Sequence, residues 1–477
     1  MSNEAADEIL PSIADAPGLP IVGEVPRKRV WAWALWDWAT QPFNSVLLTF
    51  VFVPLYLTSD AFIDPAIRAL GEDHPNYKAA IDHLTEWLGW GIGIAGFLIA
   101  IVAPVLGQRA DARARRKAWL GVATLLLVAS MVGLFFVKPV PDAFMVGVAL
   151  IAFGSIVSEI AGVNYNAMIV QVSTPKTLGR VSGLGWGLGY VGGILALVII
   201  IVLQQLGMLP AEDGLGYRLI GVGSAVWTLL FAWPLFVYVP EAPAAERPKV
   251  SLLRGYVILW RDLSDLWHSA RSTLWFLLAS AVYRDGLAGV FTFGAVIASV
   301  AFGFSSQEVI VFGIAANLIA GVSTVVAGRL DDRLGPRRVI MGALAVIVVA
   351  GALIAFLHEI GVVVFWVGGL LLSAMVGPAQ AASRSLLARL SPEGRESEIF
   401  GLYATTGRAA SPFSGWFWAG AIAIFGATIW GTLGVVALVL IGFVLMLFVK
   451  TPADRPRGPR PRNVEGGNPT EGGLTWL

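Results

Sequence analysis

The chain has 477 residues, of which 56% are hydrophobic and only 14% are charged, and its mean hydropathy is +0.74. Because a water-soluble fold does not need this much apolar surface, the composition excludes a typical soluble protein. The formal net charge of +1 gives no reason to expect nucleic-acid binding. The absence of cysteine excludes disulfides, thiolate nucleophiles and metal sites with cysteine ligands.

Twelve apolar stretches of about 20 residues follow a polar N-terminal tail, and each is long enough to cross a bilayer as a helix. Helices are predicted because backbone groups inside lipid must be paired and the two-residue alternation of barrel strands is missing. We therefore predict an all-α integral membrane protein with twelve transmembrane helices. The stretches begin near Trp31, Trp87, Ala118, Ala143, Val181, Tyr217, Thr273, Gln307, Val339, Val362, Glu398 and Thr428.

Lysine and arginine positions predict the orientation of these helices. With the N-terminus on the cytoplasmic side, 27 of the 33 basic residues fall in the tails, the linker and the inner loops, and Arg384, Arg389 and Arg395 are assigned to one of these loops. Positive residues are retained on that side of a membrane. Both termini are therefore predicted to be cytoplasmic.

The predicted helices are separated by one long outer loop and one long inner linker. The outer loop, residues 59–85, is polar and is predicted to hold a short helix from Lys78 to Leu84. In the linker, apolar residues recur at helical spacing, which predicts an amphipathic helix at the inner membrane surface. The two tails have too few apolar residues to fold, so they are predicted to be disordered. The predicted domains are the tail 1–29, a six-helix bundle 30–239, the linker 240–270, a six-helix bundle 271–450 and the tail 451–477.

Two charged loops are related in sequence and divide the chain into halves. Residues 328–338, which read GRLDDRLGPRR, join two apolar stretches, and residues 107–117 are a degraded copy. Asp332 lies 221 residues after Asp111, its counterpart in the first loop. A repeat of helix, charged loop and helix predicts two related bundles.

These loops are predicted to act as gates rather than as substrate sites. Gly328 lets two helices approach each other and Gly335 allows the turn. Asp332 can pair with Arg333, Arg337 or Arg338, and it can also face the N-terminus of a neighbouring helix. Breaking such contacts would shift the equilibrium between inward-open and outward-open states by about a few kcal/mol at most. The predicted gating residues are Gly107, Asp111, Arg115, Arg116, Gly328, Asp332, Arg333, Gly335, Arg337 and Arg338.

The second charged loop matches the signature of the major facilitator superfamily and, as in that superfamily, follows the eighth helix. Within the superfamily the chain resembles bacterial-type members of the autophagy-related vacuolar effluxer-like family, over roughly residues 30–450. The resemblance implies the major facilitator fold, secondary transport and, from the fungal members, amino-acid export. The first loop has Ala112 and Ala114 where the superfamily has a basic residue and a glycine, so we expect it to be the weaker gate. The motifs that carry the resemblance are Trp33-Ala-Leu-Trp-Asp37-Trp-Ala39, Tyr165-Asn166-Ala167, Gly179-Arg-Val-Ser-Gly-Leu-Gly-Trp186, Ser383-Arg-Ser385 and Phe400-Gly-Leu-Tyr403.

Polar residues inside the apolar stretches are unfavourable in lipid and are therefore candidates for function. A cationic side chain can bind the carboxylate of a zwitterion, and an acidic one can bind its amine or carry a proton. Burial favours the neutral form of a carboxyl group, so Glu159 is the predicted residue for proton coupling. The alternative is that these charges pair only with one another, to fix helix packing or to form an inner gate. The predicted substrate-binding or coupling residues are Asp37, Asn44, Glu159, Asn164, Asn166, Arg284, Asp285, Gln380 and Arg408.

Two further patterns concern helix surfaces. Four tryptophans at the inner end of the first helix, Trp31, Trp33, Trp36 and Trp38, are interpreted as an interfacial aromatic belt. A cage for a cationic substrate is the alternative. Glycines at four-residue spacing on the fifth helix predict a close helix crossing, and they are Gly185, Gly189 and Gly193.

Together these features predict a secondary transporter that moves a small polar metabolite by alternating access, with an amino acid, efflux and proton coupling as the favoured case. A lipid or drug exporter of the same fold is the alternative and would need a mostly apolar cavity. A membrane-embedded enzyme or a receptor is the remote alternative, because the chain lacks a convergent nucleophile and base and a soluble output domain. No cofactor or metal site is predicted. The expected partners are the substrate, a proton or sodium ion, and membrane lipids. The protein is expected to be a monomer in a bacterial plasma membrane.

Overall fold

The computed structural model describes residues 25–112, 115–210, 212–241, 271–391 and 395–450, together with the isolated residues 257, 261, 264, 267 and 268. All regular structure within these residues is helical. The predicted disorder of the two tails falls on residues outside the described part of the chain, apart from the last few residues of the N-terminal tail. Most of the predicted linker helix also lies outside it.

The first half of the chain forms a group of helices that we call the N bundle. Its first helix continues beyond Gln41 in wider, π-helical turns over Pro42–Phe50 and Phe52–Leu57. Pro42, which has no backbone N–H, stands where the wider turns begin. The helices are α1 (Arg27–Gln41), α2 (Pro65–Arg68), α3 (Pro75–Ala112), α4 (Arg116–Gly133), α5 (Phe144–Ala167), α6 (Leu178–Gln205) and α7 (Leu215–Tyr238).

The second half forms the C bundle. It repeats the arrangement of the first half without the long outer loop. Its helices are α8 (Arg271–Val296), α9 (Ser306–Leu334), α10 (Pro336–Phe356), α11 (Val362–Leu390), α12 (Glu396–Ala410), α13 (Phe413–Phe425) and α14 (Gly431–Leu447).

Eleven helical segments in the described residues are long and apolar enough to cross a membrane. The remaining predicted crossing, near Glu398, is divided into α12 and α13, and Pro412 lies at the division. Large apolar side chains point away from the fold, as lipid contact requires; Phe97 and Val363 are 66% and 65% exposed. The twelve-helix membrane fold is therefore confirmed, with one crossing broken near its middle.

The outer loop differs from the prediction. The expected short helix from Lys78 to Leu84 is not separate, because α3 begins at Pro75 and runs without interruption into the second crossing. Proline at the first turn suits a helix start, and the next proline in this helix is Pro104. The second crossing therefore extends about three helical turns beyond its predicted start.

The two bundles touch mainly along two pairs of helices, α6 with α9 and α3 with α12. Glycines of the two charged loops lie at these crossings, as predicted. A Cβ atom on Gly328 would lie 2.7 Å from the carbonyl oxygen of Gly179, and one on Gly107 would overlap the carbonyl oxygen of Ser397. Gly335 has a φ of +88°, so it supplies the left-handed turn between α9 and α10.

We call one end of the fold the basic face, because it carries both charged loops. Its described residues are 107–112, 115–117, 174–180, 328–338, 389–391 and 395–398. The bundles are in contact at this end.

Candidate functional site

A cavity of about 1320 Å³ lies between the bundles on the side away from the basic face. It reaches the connection between α6 and α7 at Leu209 and Pro210. Most of its lining is apolar and includes Phe50, Phe291 and Phe365. Polar side chains are fewer, and those near its inner part are Gln41, Ser45, Tyr190, Asn317 and Ser373.

The first charged loop closes the basic face by binding the start of α12. Asp111 accepts a hydrogen bond from the backbone N–H of Glu398, with an O to N distance of 3.0 Å. Arg116 donates to Asp111 over 2.7 Å and also pairs with Glu396. Gln108 donates to the Glu398 carboxylate over 2.6 Å. These side chains cross from the N bundle to the C bundle, so they hold the two together.

This loop was expected to be the weaker gate, yet it makes the more buried set of contacts. The side chains of Asp111, Arg116 and Glu396 are 1%, 3% and 4% exposed. The first loop lacks the glycine and one basic residue of the superfamily pattern. It keeps Asp111 and Arg116, and these two residues make the buried contacts. Arg115, also predicted as a gating residue, is exposed instead.

The second charged loop binds the start of α6 in the same manner. Asp332 accepts hydrogen bonds from the backbone N–H groups of Gly179, at 2.8 Å, and Arg180, at 3.3 Å. The Arg180 side chain also donates to it over 2.8 Å. Of the two predicted arrangements, the structure therefore shows the contact with a helix N-terminus.

The other arrangement, a pair between Asp332 and an arginine of its own loop, is wrong for this structure. Arg333 and Arg338 are exposed. Arg337 donates to the carbonyl of Leu447 at the end of α14, within the C bundle. The contacts of Asp332 with described residues are with Gly179 and Arg180 rather than with these three arginines.

A second layer of polar contacts lies deeper, between the basic face and the cavity. Asp37 on α1 pairs with Arg384 on α11 over 3.1 Å and accepts a hydrogen bond from the Tyr165 hydroxyl over 3.0 Å. Arg384 also donates to Asn166 over 3.0 Å. Gln41, which lines the cavity, follows Asp37 by one helical turn. The pair therefore lies directly beneath the cavity.

The glycine stripe on α6 allows this arrangement. A Cβ atom on Gly185 would lie 3.0 Å from an oxygen of Asp37, and one on Gly189 would lie 3.0 Å from the amide nitrogen of Gln41. One on Gly193 would lie 2.6 Å from the hydroxyl oxygen of Ser45. The predicted close crossing is confirmed, and it places α6 against the polar side of α1.

The zwitterion interpretation expects the membrane-embedded charges to meet in one central site. The remaining charges do not meet in this way. Glu159 on α5 pairs with Arg408 on α12 over 2.8 Å. Asp285 on α8 accepts hydrogen bonds from the N–H and hydroxyl of Ser414, so it caps α13 beyond the break. Arg284 donates to the carbonyl of Tyr403 over 3.3 Å and lies 3.9 Å from the centre of its ring.

Three predicted amides have no contact with these charges. Asn44 is exposed and is not part of the cavity lining. Asn164 donates to the carbonyl of Ile160 in its own helix, and its amide oxygen is buried without a hydrogen bond. Gln380 is half-buried on α11. Among the predicted amides, Asn166 is the one that joins an inter-bundle pair, through Arg384.

Sequence reasoning missed several residues of the sealed side. Arg384 was assigned to an inner loop, although it lies within α11, six residues before that helix ends, and its side chain is 4% exposed. Its position between Ser383 and Ser385 in an otherwise apolar run was the available signal. Glu396 and Glu398 were not singled out because they stand at the predicted start of a crossing, where acidic residues are common.

The amino-acid sequence of the chain matches a known protein family. The family model described as "Vacuole effluxer Atg22 like" matches residues 170–457, which is more than half of the chain. The chain belongs to this family. An uncharacterized MFS-type transporter of Bacillus subtilis, YxiO, is 25% identical over 421 residues, which cover 88% of this chain and 94% of that protein.

Solved structures of the major facilitator superfamily share the fold of this Atg22-like chain. The proton:xylose symporter XylE has a TM-score of 0.68 at 15% identity, with 89% of this chain and 96% of that chain covered. The human organic anion transporter MFSD10 has a TM-score of 0.64 at 16% identity, with 88% and 99% covered. With the family match and the likeness to the MFS-type transporter YxiO, the chain is a multi-pass membrane transporter of this superfamily.

The buried network at the first loop makes a prediction about stability. Replacing Arg116 by alanine leaves two buried carboxylates without their cation, which costs about 3–5 kcal/mol. Replacing Arg180 by alanine removes a side chain that is 54% exposed, so the expected loss is no more than about 1 kcal/mol. Thermal unfolding of the purified variants should therefore rank Arg116→Ala well below Arg180→Ala. Equal melting temperatures for the two variants would contradict the burial of this network.

Proposed function

We propose that this protein moves a small carboxylate-bearing metabolite, with an amino acid as the favoured case, by alternating access across the plasma membrane. The observation that carries the proposal is the asymmetry of the inter-bundle contacts. Polar contacts join the bundles at the basic face, whereas a cavity separates them on the other side. A transporter must expose its site to one side at a time, and two bundles sealed at one end have this form.

The charged loops support an outward-facing assignment of this state. Basic residues are retained on the cytoplasmic side of a membrane, so the basic face is the cytoplasmic face. The cavity then opens outward. Breaking the contacts of Asp111 and Asp332 with the helix ends would allow the opposite state to form. The family description as effluxers supports outward movement of the solute.

Arg284 is the best candidate to bind the carboxylate of the solute. Near the middle of the fold, Arg384 and Arg408 each have a carboxylate partner. Within the described residues Arg284 has none, and its contacts are with Tyr403. It lies one helical turn below Ala288, which lines the cavity. Gly407 leaves room beside it, since a Cβ atom there would lie 3.1 Å from the guanidinium.

A second candidate function is export of an amphipathic drug or lipid, which the apolar lining of the cavity favours. The volume of about 1320 Å³ is also above the range of about 300–1,000 Å³ that is usual for small-molecule pockets. This candidate needs no carboxylate on the solute. The two functions therefore differ in what Arg284 does.

The role of Arg284 is tested by uptake into proteoliposomes of amino acids and peptides, alongside amphipathic cations. We expect amino acids to be transported and their carboxamides, which lack the anionic group, to be poor substrates. Arg284→Ala should lower uptake at least ten-fold, because a hydrogen bond to a charged group contributes about 1.5–3 kcal/mol. Arg68→Ala, in the exposed outer loop, is the matched control. Uptake of amphipathic cations alone, unaffected by Arg284→Ala, would favour the exporter instead.

The Glu159–Arg408 pair is our candidate for coupling to protons. It joins the two bundles, and its side chains are 29% and 36% exposed, so Glu159 is less buried than its place in an apolar stretch predicts. Protonation removes the charge of Glu159 and so weakens its hold on Arg408. Separation of the two bundles at this pair would then depend on protonation of Glu159.

Substitution of Glu159 by glutamine separates coupling from solute binding. We expect Glu159→Gln to abolish accumulation driven by a pH gradient while solute exchange continues, because glutamine keeps the shape but cannot gain a proton. Uptake driven by a sodium gradient in the same liposomes is the control for a different coupling ion. Unchanged pH-driven accumulation in this variant would remove Glu159 from the coupling mechanism.

A further inference from the structure

The guanidinium group of Arg384 is bound entirely by the opposite bundle. Arg384 belongs to α11 of the C bundle, yet within the described residues each of its hydrogen bonds ends on the N bundle. Nη1 donates to Asp37 over 3.1 Å and to Asn166 over 3.0 Å. Nε donates to the hydroxyl of Ser182 over 3.0 Å, and Nη2 donates to its carbonyl over 2.7 Å. All three nitrogens of the guanidinium are therefore satisfied by α1, α5 and α6.

Aromatic rings of the N bundle complete the surroundings of this guanidinium. Its central carbon lies 5.0 Å from the ring centre of Trp33, and 5.6 Å from those of Tyr165 and Trp186. A cation within about 6 Å of an aromatic face is attracted by the ring quadrupole. Arg384 thus occupies an aromatic cage with a carboxylate on one side.

The aromatic walls of the cage are held by contacts within the N bundle, whereas the hydroxyl of Ser182 also donates to the carbonyl of Ala381 on α11. Trp33 stacks on Tyr165 with the ring centres 4.5 Å apart, and its indole N–H donates to the Tyr165 carbonyl over 3.0 Å. Trp36 stacks on Tyr165 at the same distance. Trp33 and Trp36 are 0% and 3% exposed, so their interpretation as an interfacial belt is wrong, and they support the cage instead. The cage should keep its shape when Arg384 leaves.

Glycine at position 185 is needed for the guanidinium to fit. A Cβ atom there would lie 2.8 Å from Nη2 of Arg384 and 3.0 Å from a carboxylate oxygen of Asp37. The N bundle therefore has a preformed cavity whose shape, acceptors and charge suit a planar cation. A guanidinium matches the three separate acceptors better than an ammonium, which is a compact point charge.

We propose that this cage, formed by Trp33, Asp37, Tyr165, Asn166 and Trp186, binds the guanidinium group of a transported solute when the basic face is open. Arg384 then occupies the place of that group when the face closes. The proposal rests on the proposed function, because it requires the bundles to part at this face. Arg384 would leave with α11, and Asp37 would lose its cation. The side chain of Asp37 is only 17% exposed with Arg384 in place, and a largely buried carboxylate without a partner is unfavourable, so a cationic solute would replace Arg384.

The consequence is competition between the solute and the protein itself. In the closed state the cage is occupied, so a guanidinium solute binds poorly from the cavity side. In the state open at the basic face the cage is vacant. Removing Arg384 should therefore increase the affinity for such a solute even when the bundles do not move.

Binding of free arginine to the purified full-length protein in detergent tests this proposal. Citrulline is the matched compound, because it carries a neutral urea in place of the guanidinium. We expect Arg384→Ala to bind arginine with an apparent Kd at least ten-fold below that of the unchanged protein, and to bind citrulline no better. Asp37→Asn in the Arg384→Ala background should weaken arginine binding at least ten-fold. Arg389→Ala, on the same helix and also donating to the N bundle, should show no gain.

Equal binding of arginine and citrulline by Arg384→Ala, or no gain over the unchanged protein, would overturn the proposal. If Arg384→Ala does not fold, inhibition of amino-acid exchange by arginine, but not by citrulline, in the unchanged protein is the second measurement. Gly185→Ala should reduce that inhibition, and inhibition that persists undiminished would also overturn the proposal. If amino-acid exchange continues but arginine does not bind, the cage proposal fails and the proposed function stands. If Arg384→Ala binds arginine but the protein exchanges no solute, the proposed function fails instead.

Discussion

Two carboxylates, Asp111 and Asp332, each accept hydrogen bonds from the first turn of a helix in the opposite bundle. A charge buried at a protein interface is tolerated only where its hydrogen bonds are satisfied. The unpaired N–H groups at a helix start supply those bonds and the favourable end of the helix dipole. While water is excluded from the basic face, the bundles must therefore stay in contact there for both charges to remain satisfied. The close approach at Gly107 and Gly328 follows from the same requirement.

The chemistry of this seal allows it to be broken and remade. Hydrogen bonds to helix ends are short and directional, so a small separation of the bundles removes them, and water can then satisfy the same groups. An apolar seal of equal area would lose its stabilisation more gradually and would expose apolar surface when it opened. The deeper pair, Asp37 with Arg384, has a matching arrangement. In both layers an N-bundle group and a C-bundle group satisfy each other only while the face is closed.

Much of the fold could be predicted from the sequence, because lipid restricts the choice to helices of a given length. The apolar stretches located the crossings, and Gly328 and Gly335 have the roles expected from the loop pattern. The start of α3 was placed too late, since a helix can extend beyond the apolar stretch that reveals it. The break before Phe413 was not predicted, although Pro412 was its signal.

Less of the candidate site could be predicted, because its pairs join residues far apart in the chain. Arg384 and Asp37 are separated by 347 positions, and nothing in either stretch names the other. Arg384 was also assigned to a loop, because a crossing of about 20 residues does not include the last turns of α11. The partner of Glu159 and the cap formed by Asp285 likewise depend on how the helices are arranged in three dimensions.

The central claim is that the contacts at the basic face must open during transport. Because the chain contains no cysteine, the double variant Arg180→Cys with Asp332→Cys introduces a single pair of thiols across the seal. Oxidation of this variant in proteoliposomes should link the two bundles and stop uptake of a radiolabelled amino-acid mixture, and a reducing agent should restore it. For each single variant, the oxidant should leave uptake at the level of the same variant without oxidant. Full cross-linking with undiminished uptake would contradict the claim that this face opens.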